Sequence, residues 1–164
     1  MEHVVHEISP VYDHSSKVLI LGSFPSVKSR ECQFFYGHPQ NRFWKVMAAL
    51  TGENVPVTVE EKRELLLKHH IAVWDVIESC DIEGSSDSSI KNVVVNDLNR
   101  ILSAADIVQI YCNGAKSHQL YKKYCEKMTG RSALKLPSTS PANAASGLEK
   151  LIDAWQCILE ALKA

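Results

Sequence analysis

Amides and hydroxyls, rather than carboxylates or metal-ligating groups, gather wherever this chain breaks an apolar run. Ser23 follows Val18 to Leu21 in Gly22-Ser23-Phe24-Pro25-Ser26, and Asn41 closes a second loop, Tyr36-Gly37-His38-Pro39-Gln40-Asn41. Asn113 follows Ile107 to Cys112, and Ser138, Thr139 and Ser140 follow Ala133 to Leu136. An amide carries both a donor and an acceptor, so this set can read the edge of a flat ligand. It can also hold a water molecule, although an amide is no base and contributes positioning alone. Phe34, Phe35 and Tyr36 lie in a non-periodic stretch and supply aromatic walls. Together these residues suit a hydrogen-bonding ring such as a nucleobase.

Other chemistries find no support. No pair of Asp or Glu residues is spaced to flank a sugar bond as glycosidases require. A nucleophile elbow is missing, as are a P-loop and a dinucleotide fingerprint. The 5 cysteines are scattered and never form Cys-x-x-Cys, which argues against structural zinc, iron–sulfur clusters and a disulfide framework.

The elements that position these loops follow from hydrophobic patterning. Val18 to Leu21, Ile71 to Ile77, Ile107 to Cys112 and Ala133 to Leu136 read as buried strands. Helices are expected at Arg42 to Leu50, at Glu60 to His70 behind the capping box Thr58/Glu61, from Asn96 to Ala104, and at Ala115 to Met128. A second capping box, Ser146/Glu149, is expected to open a terminal amphipathic helix. Residues 1–16 read as an entry strand or arm, and 79–92 as a long polar loop. Strands alternating with helices predict an α/β fold: a three-layer α/β/α domain, its central, mostly parallel sheet having about four strands. Parallel strands would bring the Ser, Asn and Thr loops to one edge, where such sheets bind ligands.

At 164 residues, 45% hydrophobic and 23% charged, the chain is sized for one globular domain, residues 1–164. A net charge of −1 gives no overall attraction for nucleic acid, so any such binding must use a local patch. Neither a membrane span nor a signal peptide is evident, which predicts a cytoplasmic protein without membrane association.

Three stretches carry a family resemblance: Leu21 to Ser26, Phe35 to Trp44 (FYGHPQNRFW), and Leu136 to Asn143 (LPSTSPAN). They resemble the motifs of the uracil-DNA glycosylase superfamily, most closely those of the DNA-deoxyinosine (hypoxanthine-DNA) glycosylase branch. The resemblance spans about residues 15–162. It implies a monomeric, monofunctional glycosylase that removes deaminated bases, hypoxanthine above all, from double- or single-stranded DNA, without metal or organic cofactor. It maps the functional Asn onto Asn41, because Phe24 occupies the position where several branches place a water-holding Asn or Asp. Ser23 is expected beside it in catalysis. Gly22, Phe24, Pro25, Tyr36 and Asn113 are expected around the flipped base, with Asn113 reading its edge. Ser26, His38, Arg42, Ser138, Thr139, Ser140 and Asn143 are expected to face DNA, helped by Lys28 and Arg30. Leu136 stands where other branches begin their second motif with His. A uracil or thymine mismatch glycosylase is the rival within enzymes, and a non-catalytic nucleobase-binding module the rival outside them.

Overall fold

Val18 to Leu21 are all fully buried, which a strand achieves only when both faces of its sheet are covered. That strand, β2 (Val18–Gly22), sits inside a four-stranded sheet of order β3-β2-β6-β7, with β3 at Ile71–Asp75, β6 at Gln109–Asn113 and β7 at Ala133–Leu136. Every pairing in it is parallel. The chain is described here by a computed structural model covering residues 2–164.

Helices flank the sheet, as the alternating pattern predicts. α2 (Phe43–Thr51) and α3 (Val59–Lys68) follow the first loops, and α3 opens on the expected reciprocal capping box of Thr58 and Glu61. α5 (Ala115–Tyr124) packs on β6 and β7, and the carboxyl-terminal helix α8 (Cys157–Lys163) on β2. The terminal helix is broken: α7 runs Leu148–Trp155 and α8 resumes at Cys157. The expected Ser146 cap is not made; Gly147 takes that position without a side-chain bond. The helix after β6 likewise breaks, at Cys125, before the short α6 (Glu126–Thr129).

The larger departure lies in the stretch read as a polar loop. β4 (Ile77–Ile82) and β5 (Lys91–Val95) form an antiparallel hairpin, and β1 (Glu2–Val5) pairs with β4 to complete a second, three-stranded sheet. The helix expected from Asn96 is the short α4 (Asn99–Leu102), which Asn96 does not cap; its amide donates to the carbonyls of Asp75 and Ile77 and pins the crossing between the sheets. A short helix unforeseen in the sequence, α1 (Val27–Cys32), follows the first loop, with Ser26 as its N-cap. Phe34 and Phe35 turn out to be core residues, 1% and 2% exposed, which explains their apolar character without a ligand. Trp44 packs beneath the same loop, donating its ring N–H to the Phe35 carbonyl. No helix among the described residues is long and apolar enough to cross a membrane.

Candidate functional site

Parallel registration puts the carboxyl ends of the four strands side by side. Gly22 pairs with Asp75, Leu21 with Cys112, and Asn113 with Leu136. The loops leaving those ends line a cavity of about 130 Å³, much smaller than a site for a drug-sized ligand and on the scale of one ring system. Its wall near β2 is Gly22 to Ser26; Phe35, Tyr36 and Asn41 come from the next loop. Asn113 and the Ser138 to Ser140 segment close the far side. Three residues expected at the site, His38, Arg42 and Asn143, are not part of this lining.

A hydrogen-bonded relay ties three of these loops together. Asn113 donates to the Thr139 hydroxyl at 3.0 Å and accepts from the Thr139 backbone N–H at 3.0 Å. Thr139, fully buried, passes its own proton to Asn41 Oδ1 at 2.8 Å. That oxygen also accepts the Phe43 backbone N–H at 2.9 Å, at the start of α2. A backbone N–H can only donate, so the Asn41 amide is fixed in orientation and its NH₂ is the end left for the cavity.

The floor is different in character. Asp75, 3% exposed, lies at the end of β3 directly beside Gly22. A Cβ on Gly22 would stand 2.4 Å from Asp75 Oδ1, so no larger residue fits. Asp75 Oδ2 is 2.7 Å from Nε2 of the buried His6, whose Nδ1 accepts the Ile8 backbone N–H at 3.0 Å. The ring's proton therefore sits on Nε2 and is donated to the carboxylate. Close by, the Tyr36 hydroxyl is buried with no hydrogen-bond partner. Burial, then the charge of Asp75, raise its pKa far above the usual tyrosine value; Asn113 pulls the other way without reaching hydrogen-bond geometry. Tyr36 stacks on Phe43 at 4.1 Å and is held at φ 52°, a left-handed conformation that costs energy for a bulky side chain. Phe24 presents its ring against the edge of His6, 5.9 Å between centroids.

The rim is stitched by the hairpin of the second sheet. Ser23 donates to Asp87 at 3.1 Å, the Val27 N–H donates to Ser85, and Arg30 donates to the Gly84 carbonyl. Desolvation against the cavity raises the pKa of the Asp87 carboxyl; Ser23 and Lys116 pull it down, and Asp75 adds to the rise. Two carboxylates thus line a site in which the sequence suggested none. Both were hidden by their settings: Asp75 ends an apolar strand, and Asp87 lies in the serine-rich loop.

The cationic residues expected at DNA are largely occupied. Arg42 donates to the carbonyls of Thr139, Ser140, Asn143 and Ser146, clasping the loop after β7. Lys28 pairs with Glu31. Ser26 caps α1 and donates to Ser29, while His38 Nδ1 accepts the Gln40 N–H. Asn143 bonds the Ser138 carbonyl. The hydroxyls of Ser138 and Ser140 accept backbone N–H groups of their own loop, and each keeps its proton to donate. No group of three or more metal-ligating side chains occurs among the described residues.

Comparison with known proteins supplies the context. The family model described as the uracil DNA glycosylase superfamily matches residues 9–162. A hypoxanthine DNA glycosylase of Methanosarcina acetivorans is 37% identical over 135 residues, 81% of this chain and 84% of the relative. One of the same description from Methanosarcina barkeri is 32% identical over 139 residues, covering 84% and 87%. Among solved structures, the solution NMR structure of a Methanosarcina acetivorans protein, itself provisionally assigned as a uracil DNA glycosylase, superposes with a TM-score of 0.81. It is 31% identical and covers 96% of this chain and 97% of that one.

Proposed function

The chain belongs to the uracil DNA glycosylase superfamily, and we propose that it is a monofunctional DNA glycosylase that flips a deaminated base, principally hypoxanthine, from DNA and cleaves its N-glycosidic bond. The observation that carries this reading is the polar crevice of about 130 Å³ at the carboxyl edge of the parallel sheet. Its size is on the scale of a single ring system, which suits an enzyme acting on an extruded base. Support for hypoxanthine comes from the two relatives of that description at 37% and 32% identity.

In this reading the base enters past Phe24 and Pro25 and lies beside Tyr36. As the bond to C1′ breaks, the sugar becomes oxocarbenium-like and electron density moves to the base. The attacking water is held by the Asn41 NH₂, whose direction the Thr139 and Phe43 bonds fix. Such preset orientation is worth more than the bond itself, because no reorganisation is needed during the reaction. Ser138 and Ser140 hydroxyls offer protons to flanking phosphates.

Single-turnover incubation with duplexes carrying deoxyinosine, deoxyxanthosine or deoxyuridine, then alkali to open abasic sites, tests the proposal. Wild type is expected to cut deoxyinosine fastest. Asn41→Ala and Asn41→Asp are both expected to lose roughly 10²–10³-fold, since a donor aimed at the reacting centre is removed in each. Asn41→Asp keeps the oxygen that Phe43 and Thr139 need, so its melting temperature should hold. Full activity in Asn41→Asp would show that an acceptor, not a donor, acts at this position.

A further inference from the structure

The reaction as described leaves two buried polar groups of the cavity floor without employment, the Asp75 carboxylate and the Tyr36 hydroxyl. His6 occupies Asp75 Oδ2 at 2.7 Å, whereas no hydrogen bond from the described residues reaches Oδ1, which opens on the cavity. The Tyr36 hydroxyl lacks any partner. Both groups converge on one point: a Cβ built on Gly22 would be 2.4 Å from Asp75 Oδ1 and 3.2 Å from Tyr36 Oη. A free acceptor of the cavity wall and a buried donor without a partner therefore lie side by side at Gly22. Burying such groups unpaired is costly, and a ligand that pairs both would recover that cost.

The edge of hypoxanthine formed by O6 and N1–H complements this pair, O6 accepting from Tyr36 and N1–H donating to Asp75. Uracil offers the same pattern through O4 and N3–H, so hydrogen bonding alone does not separate the two. Charge does. Uracil leaves with the bonding electrons spread over its ring as an anion, and an adjacent carboxylate in a poorly solvated cavity opposes that. A purine has another route: N7 can take a proton from solvent first, and a carboxylate on N1–H favours the cationic ring that results.

Resting on the glycosylase reading above, we infer that Asp75 is the specificity-determining residue of the site: it accepts the N1–H of the flipped purine and directs cleavage through the N7-protonated ring, with His6 as its positioning residue. The balance is complete. N7 gains a proton from solvent, the C1′–N9 bond breaks with its electron pair going to the purine, and hypoxanthine departs neutral. Water adds to C1′ and returns one proton to solvent. His6 acts through Asp75: its Nε2–H holds Oδ2, and its own tautomer is locked by the Ile8 N–H. The arm before β2 thereby reaches the chemistry.

The test uses duplexes carrying deoxyinosine, 7-deazadeoxyinosine, deoxyxanthosine and deoxyuridine, under single-turnover conditions with wild type, Asp75→Asn, His6→Leu and His6→Gln. Asp75→Asn is expected to slow cleavage of both natural purines by at least about tenfold, a typical cost of unpairing a recognition group. Its uracil cleavage should fall by much less, because loss of the N3–H acceptor is offset by loss of the charge that opposes the departing anion. Wild type should cut 7-deazadeoxyinosine at least about tenfold more slowly than deoxyinosine, a measurement that needs no variant to fold. His6→Leu should resemble Asp75→Asn, and His6→Gln, which keeps an N–H donor, should recover much of the lost rate. Equal loss on purines and uracil in Asp75→Asn, or rapid cleavage of the 7-deaza substrate, overturns the inference while leaving the glycosylase reading intact. A wild type that cuts no lesion, or uracil alone, overturns that reading and this inference with it.

Discussion

The two sides of the cavity are built on opposite principles. On one side, Asn113, Thr139 and Asn41 form a neutral relay in which the carbonyl oxygens and the threonine hydroxyl are engaged. On the other, Asp75 and Tyr36 carry charge and an unpaired hydroxyl into a buried floor, with His6 as brace. A satisfied network fixes shape and contributes to stability, whereas an unsatisfied one sits at a disadvantage until something fills it. The contrast separates the part of the site that holds geometry from the part that waits for ligand. Substitutions on the two sides should therefore differ in what they damage.

The largest effect is expected from Gly22→Ala, which places a methyl group against Asp75 Oδ1 and forces the floor apart. Deoxyinosine cleavage should fall by at least about 100-fold, the scale of loss for misplacing reacting groups by an ångström, in single-turnover assays. Thr139→Val strikes the relay and should cost about 1–3 kcal/mol in urea unfolding, because it strands buried partners on Asn41 and Asn113. Tyr36→Phe sharpens the contrast: on the floor, removing the hydroxyl should leave stability unchanged or raise it by up to about 1 kcal/mol. Deoxyinosine cleavage should nevertheless drop by about tenfold. A Tyr36→Phe protein as destabilised as Thr139→Val would erase the distinction.

The smallest effect belongs to a control remote from both sides, the capping box of α3. Backbone N–H groups of Thr58 and Val57 hold the Glu61 carboxyl below its ordinary pKa. A depressed folded-state value means stability that is present above the unfolded-state value and lost as pH falls through the folded one. Wild type should melt slightly above Glu61→Gln at neutral pH, and the gap should close as acid protonates Glu61, with cleavage rates of the two proteins alike at neutral pH.

How much of this could be read beforehand depended on whether the signal was local. The core sheet was legible because Val18 to Leu21 and Ile107 to Cys112 are apolar runs bounded by turn residues. The neutral side of the cavity was legible for the same reason, since Asn113 and Ser138 to Ser140 directly follow such runs. The second sheet was not: β4 alternates as Ile77, Ser79, Asp81 on one face, and its pairing partners β1 and β5 are short and largely exposed. His6 and Asp75 escaped notice because they meet only through tertiary structure, 69 positions apart. An aspartate closing a buried strand, at Asp75, was the one available hint. The aromatic stretch misled in part, because Phe34 and Phe35 serve the core while Tyr36 alone of the three brings a polar atom to the cavity.

The Arg42 clasp carries a consequence for the thermodynamics of association. A guanidinium that grips phosphate displaces condensed counterions, and each such contact steepens the decline of affinity with ionic strength. Arg42 instead directs its donors into four carbonyls of its own protein, and Lys28 is matched by Glu31. On the reading proposed above, the backbone contacts given to Ser138 and Ser140 are made by hydroxyls, which release no ions. Recognition built this way gains little from long-range attraction and should vary gently with salt, leaving extrusion of the lesion, more than the pull of the duplex, to set where the protein stops.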